Sequence, residues 1–221
     1  MADWATISSL ATAGGTLALA AATYASVRSN NRSTRVAELA LQEQRRPVLM
    51  HSNDDDRAQE VRFADHHRMN LPGGGAAVDA GTDAVYLTAS LRNVGEGIAV
   101  LQGWQGVAIE GVETDSLALW RERVHGAPPP EVEDFRPLTR DQYIASGEVG
   151  VWQATVRDPT DPLFAKIAAA SVEERPISLD LLYTDQVGGQ RTISRFGLLP
   201  EENGWRTAVA RHFYLDTAGP R

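Results

Sequence analysis

The chain has no cysteine, a single lysine and, from Trp4 to Val27, 24 successive positions without a charged side chain. Without cysteine there is no disulfide framework, no thiol nucleophile and no zinc–thiolate centre. The lone Lys166 stands against twenty arginines. With abundant alanine, that bias suggests the coding habit of a GC-rich bacterial genome and says little about chemistry. No G-x-S-x-G nucleophile elbow occurs.

The uncharged run, WATISSLATAGGTLALAAATYASV, predicts a membrane anchor over residues 1–27, with the spanning helix at 4–27. At ~1.5 Å per residue it measures roughly 36 Å, against a hydrocarbon core of about 30 Å. Trp4 and Tyr24 are spaced to set one amphipathic ring at each interface. Only Ile7, Leu10, Leu17, Leu19 and Val27 are strongly apolar aliphatics, so insertion is expected to be moderately favourable. The alternative is a buried helix of a soluble core. Against it, the polar residues do not gather on one helical face. A cleaved signal peptide fits less well, because Met1, Ala2 and Asp3 bring no basic residue and the apolar stretch is too long. Arg28, Arg32, Arg35, Arg45 and Arg46 all follow the span. The positive-inside bias then puts the C-terminal side in the cytoplasm of a bacterial cell, with a single pass through the inner membrane. Gly14, Ala18, Ala22 and Ser26 fall four apart, as do Ala11 and Gly15. That spacing lets two spans approach closely, and it also arises by chance in an alanine-rich segment.

Residues 28–46 carry five arginines and two glutamates, net +3, and read as a basic juxtamembrane helix that Pro47 ends. Its apolar stripe of Val36, Leu39 and Ala40 meets a charge at Glu43, which favours a solvated stalk over a two-helix contact. From Pro47 onward there are sixteen basic and twenty-six acidic side chains, net −10. Such a domain is repelled by nucleic acid, so neither DNA nor RNA is expected as a partner.

Residues 47–221 predict a mainly β domain, an antiparallel immunoglobulin-like sandwich with one short internal helix. Strands are expected at 47–52, 61–65, 85–91, 98–110, 148–157, 177–184, 191–199 and 205–215. Residues 66–83, with PGGGAAVDAGTD, read as a flexible loop. Asp161 as N-cap and Pro162 at the first position start a helix over 161–171. TDQVGGQ at 184–190 reads as a hairpin turn. Leu179, Leu181 and Tyr183 are expected to face the core, as are Trp205, Val209 and Phe213 on the last strand. Ser178, Asp180 and Thr184 alternate with the first set.

An arginine-bearing helix ending in RRPVL, then LRNVGEGIAV and LDLLYTDQVGGQRTIS, resembles actinobacterial single-pass membrane-anchored proteins with a C-terminal immunoglobulin-like β-sandwich domain. The resemblance covers most of the chain through strand and turn patterns. It implies a fold and an address, and it brings no reaction and no site residues.

Four constellations bear on chemistry. Gly95-Glu96-Gly97 after a strand opens like a dinucleotide fingerprint, but Val100 stands where a third glycine is needed and a strand follows, so a hairpin turn is expected. Asp65, His66 and His67, near Asp54, Asp55 and Asp56, have metal-ligating chemistry. On a strand the two histidines would point to opposite faces, and the triple Asp lacks calcium-loop spacing, so a solvated, mobile loop is expected. Ser146, His125 and His212 show no arrangement that ties a serine to a histidine. Trp104, Trp120, Trp152 and Trp205 have the chemistry of a sugar platform, although in a sandwich large aromatics usually pack the core. No catalytic residue, cofactor or metal ligand is assigned. The expected function is a non-catalytic membrane-anchored interaction or accessory domain, held in the bilayer by residues 4–27 and facing a protein partner or a second copy. The competing reading is a membrane-tethered hydrolase or metal-dependent enzyme with its site in loops 53–83 or 111–142.

Overall fold

A computed structural model describes residues 4–108 and 117–216. It resolves into two units, a helix ending at Gln44 and a β domain beginning at Arg45. The helix, α1 (Trp4–Gln44), is continuous over 41 residues. The expected spanning and juxtamembrane segments are therefore one rod, with no proline to separate them. Its described side chains, from residue 12 on, are all exposed, Leu17, Leu19, Tyr24, Val27, Val36 and Leu39 included. Thr16, Thr23 and Thr34 turn their hydroxyls back onto the carbonyls of Thr12, Leu19 and Asn30 at 2.9, 2.8 and 3.0 Å. Among the described residues no helix is long and apolar enough to cross a membrane. Small and hydroxylated residues dilute the few large aliphatics.

The second unit is mainly β and antiparallel. Its strands are β1 (Leu49–His51), β2 (Gln59–Arg62), β3 (Arg68–Leu71), β4 (Gly75–Ala80), β5 (Val85–Asn93) and β6 (Ala99–Ala108). After α2 (Leu117–Gly126) come β7 (Arg136–Ile144) and β8 (Val149–Val156), then α3 (Pro162–Val172), β9 (Ile177–Thr184), β10 (Thr192–Glu201) and β11 (Gly204–Tyr214). The described main sheet runs β1-β5-β4-β11-β10-β9-β6-β7, with β8 on the other edge of β5, while β2 and β3 form a separate hairpin.

The sheet curls. β8 and β6 stand far apart in strand order, yet Trp152 and Trp104 meet edge to face at 5.5 Å. Around them Leu87, Leu91, Leu101, Leu179, Leu181, Tyr183, Phe196 and Leu198 close a buried core. α3 sends Leu163, Ile167 and Ala170 into it. As the sequence predicts, Asp161 caps α3 by accepting from the Leu163 N–H at 2.9 Å, and Pro162 occupies its first turn.

Several expectations are corrected. Residues 66–83 are not a flexible loop but hold β3 and β4. The glycines at 73–75 are there for close approach: a Cβ on Gly73 would stand 2.4 Å from the Asn53 carbonyl, and Gly74 has φ +67. Within 111–142, α2 and part of β7 are ordered elements, and 109–116 lie outside the described residues. The turn at 95–97 is not a hairpin, because β5 and β6 do not pair. It carries the chain across the fold and is tied by Asn93, which is buried. Asn93 accepts from Val48 and Gly95 N–H and donates to the Gly97 and Ile144 carbonyls.

β9 is buried on both faces. Asp180, expected on the polar side, is covered by residues 124–128. There Arg195 pairs with Asp180 twice, at 2.7 and 2.8 Å, and donates to the carbonyls of Val124, Ala127 and Pro128. Phe213 is a second correction. A register break sets Arg195 opposite Arg211 but Phe196 opposite Val209, so Ala210 is an extra residue. The bulge inverts the alternation beyond it. Trp205 and Val209 pack against the core, whereas Phe213 lies under the guanidinium groups of Arg195 and Arg211 on the other face.

Candidate functional site

The acidic and histidine residues that suggested a metal do not converge, and no cation-binding group of carboxylates and histidines occurs among the described residues. Asp56 pairs with Arg92, and Asp54 with Arg206 at 3.3 Å. His66 sits at φ +67 in the tight turn between β2 and β3. His67 stacks on Tyr86 at 4.0 Å and lies 3.1 Å from Asp79. Asp65 accepts a hydrogen bond from the Tyr86 hydroxyl and lies 3.0 Å from Arg157. The Tyr86 bond, more than any other contact, holds the Asp65 carboxyl down to about 2. This is a hairpin clamp, not a mobile loop. It fixes β2–β3 over Tyr86 and Val151, with Val61, Phe63 and Leu71 filling the space between.

One serine does reach a histidine, contrary to the sequence reading. The pair is formed across β10 and β11: Ser194 Oγ lies 2.7 Å from His212 Nδ1 and 2.8 Å from the Tyr183 hydroxyl, which accepts from the Leu49 N–H at 3.2 Å. Ser194 is fully buried, so an external carbonyl has no path to its oxygen. Burial lowers the His212 pKa and pushes Tyr183 up to about 12, which keeps both uncharged. The arrangement is a polar relay inside the curl. Ser146 is exposed in the β7–β8 turn and His125 in α2. Trp104 and Trp152 lie in the core, Trp205 packs beside it, and the side chain of Trp120 falls outside the described set.

The surface features are the sheet's two ends. β7 and β8 are its terminal strands, joined by the turn at 145–148. β7 follows β6 at Ala99–Leu101 and again at Gly103–Trp104, but its middle bows away. Beside that bow lies a groove of about 630 Å³. It is lined by Arg62, Phe63 and His66 of the β2–β3 hairpin, Arg140 and Gln142 of β7, Gln153, Ala154 and Thr155 of β8, and Arg157 just past its end. Arg62 and Arg140 are exposed. Gln142 Oε1 is buried, with no donor among the described residues. A second cleft, of about 540 Å³, opens where β4 overhangs the β10–β11 turn, between Asp54, Asn70, Glu201 and Arg206. Neither groove is visible in sequence. Each is assembled from three separated segments, and no local pattern marks Arg62 and Arg140 apart from the other arginines.

No protein-family model matches the chain, and neither a curated protein nor a solved structure matches it.

Proposed function

We propose that the chain is a membrane-anchored, non-catalytic interaction module, its β domain an immunoglobulin-like sandwich on the cytoplasmic side of a bacterial cell membrane. The observation that carries the interaction reading is the pair of terminal strands, β7 and β8, each with one edge unpaired among the described residues and a groove beside them. Sheet edges of this kind are surfaces on which partners add. The sandwich reading is supported by the facing Trp104 and Trp152 and by the link from β5 to β6, which crosses between unpaired strands.

The anchor reading rests on the uncharged run and on the rod itself. Large apolar side chains exposed along a helix call for a covering phase. Threonine hydroxyls bonded back to the helix lower the cost of placing it in lipid. The low apolarity fits a span whose small residues Gly14, Ala18, Ala22 and Ser26 lie against another helix.

Two experiments test this. Alkaline phosphatase fused after the C-terminal residue is expected to be inactive in intact cells. High activity there overturns the orientation, and release of the chain by alkaline carbonate overturns the span. Gln153→Lys with Thr155→Lys puts two charges on the β8 edge. Native gels of detergent extracts are expected to show a smaller complex at an unchanged melting midpoint. An unchanged complex size overturns the edge as the interaction surface.

A further inference from the structure

We infer that the free edge of β8, beside Arg62 and Arg140, takes up an acidic extended peptide from a partner protein as an added strand; this rests on the reading of the domain as an interaction module. The first support is the edge. Among the described residues β8 pairs with β5 alone, and its Gln153, Ala154 and Thr155, with Arg157 just past its end, line the groove. The four strand residues 153–156 offer about 13 Å at ~3.3 Å each.

The second support is the lack of protection. Edge strands are normally guarded by proline, charge or a bulge. β7 has all three, in Pro137, in Arg136 and Arg140, and in its register break. VGVWQATV, the whole of β8, has no proline and no charge, and pairs with β5 without a break.

The third support is charge. From Pro47 on the chain is net −10, yet the groove lining holds three arginines and no carboxylate. Asp65 offsets Arg157, which leaves the exposed Arg62 and Arg140 to face an occupant. A strand with Asp or Glu at every second position can set one row of carboxylates toward them while its backbone pairs with β8.

The test uses the full chain in non-ionic detergent and three fluorescein-labelled nonapeptides: alternating valine and glutamate, alternating valine and lysine, and alternating proline and glutamate. The valine–glutamate peptide is expected to bind, more weakly as salt rises, and to protect the amides of residues 153–157 from hydrogen exchange. The lysine peptide should not bind. The proline peptide carries the same charge but cannot form a ladder, and should bind at least about tenfold more weakly. Arg62→Gln with Arg140→Gln should weaken binding about tenfold, since two exposed charge pairs together are worth roughly that factor. Both side chains are exposed, so the melting midpoint should not move. No binding by the valine–glutamate peptide, equal binding by the proline peptide, or binding indifferent to the two arginines overturns the proposal. So does protection of 153–157 by anionic vesicles in place of the peptide. A peptide that fails while the β8 lysine pair still reduces the native complex leaves the interaction module standing and removes only this ligand.

Discussion

Removing one member of the Arg195–Asp180 pair should be among the most damaging changes in the domain. Both residues are 5 % exposed, and all three guanidinium nitrogens of Arg195 are used: Nε and Nη2 donate to the carboxylate, Nη1 donates to the carbonyls of Val124 and Ala127, and Nη2 donates also to that of Pro128. Burial pushes the Asp180 carboxyl up and the Arg195 hydrogen bonds pull it down, with burial the larger. The carboxylate thus depends on its partner to stay ionised. Arg195→Met leaves that carboxylate without a counter-charge and frees three carbonyls, at about 3–5 kcal/mol. Asp180→Leu leaves a buried guanidinium and should cost a similar amount. The double variant removes both charges together, so it should fall short of the sum by at least ~1 kcal/mol, as contacting pairs do. It will not recover fully, because the carbonyls of 124–128 lose their donor either way. Urea melts of the full chain in detergent give the three energies, and hydrogen exchange over 124–128 reports the local release. Additive single effects, or an Asp180→Leu change within about 0.5 kcal/mol of wild type, would refute the reasoning.

Leu181→Ala, at a fully buried position of β9, should cost about 2–5 kcal/mol in the same melts. His67→Ala should lose about 1 kcal/mol with its stack on Tyr86, whereas His66→Gly should gain about 0.5–1 kcal/mol by relieving the positive φ. Gly97→Ala should destabilise by about 1–3 kcal/mol, because its Cβ would meet the Arg45 carbonyl at 1.8 Å. Stability measured against pH should fall in two stages. His212 has its pKa lowered by burial, so its contribution is complete above its ordinary 6.5 and drains as pH falls below that. Asp65 contributes fully above its ordinary 3.8 and is lost as pH drops toward about 2. Tyr86→Phe should move that acid loss to higher pH, and an unmoved profile would remove the phenol from the account.

Where a pattern is local, the chain announced it. Period-two alternation located β5, β9 and β11, short strand-forming runs between turns located β8 and β10, Asp161-Pro162 announced the start of α3, and Gly188-Gly189 marked a hairpin, because each signal is held within a few adjacent residues. The same local rules misplaced residues whose environment comes from elsewhere. PGGG looked flexible until the turn at 53–56 filled the space its missing side chains leave. Asp180 looked solvated until 124–128 crossed over it. Phe213 shared a phase with Val209 until one extra residue in β11 inverted it.

The candidate site was legible only as a class of surface. Free edges are common in sheet proteins, but which strand stays unpaired follows from the order β8-β5 at one end and β6-β7 at the other, and no single strand encodes that order. Sequence alone determined the uncharged run at 4–27, the basic flank, the acidic charge of the residues after it and the absence of thiol chemistry, because composition and period are properties of neighbours along the chain. Tertiary structure decided that buried Ser194 meets half-buried His212, that the metal-like residues form a hairpin clamp, and that Arg62, Arg140 and the β8 edge line one groove. Those are meetings between separate strands: the pairing of β10 with β11 sets Ser194 opposite His212, and the placing of the β2–β3 hairpin beside β5, β7 and β8 assembles the rest.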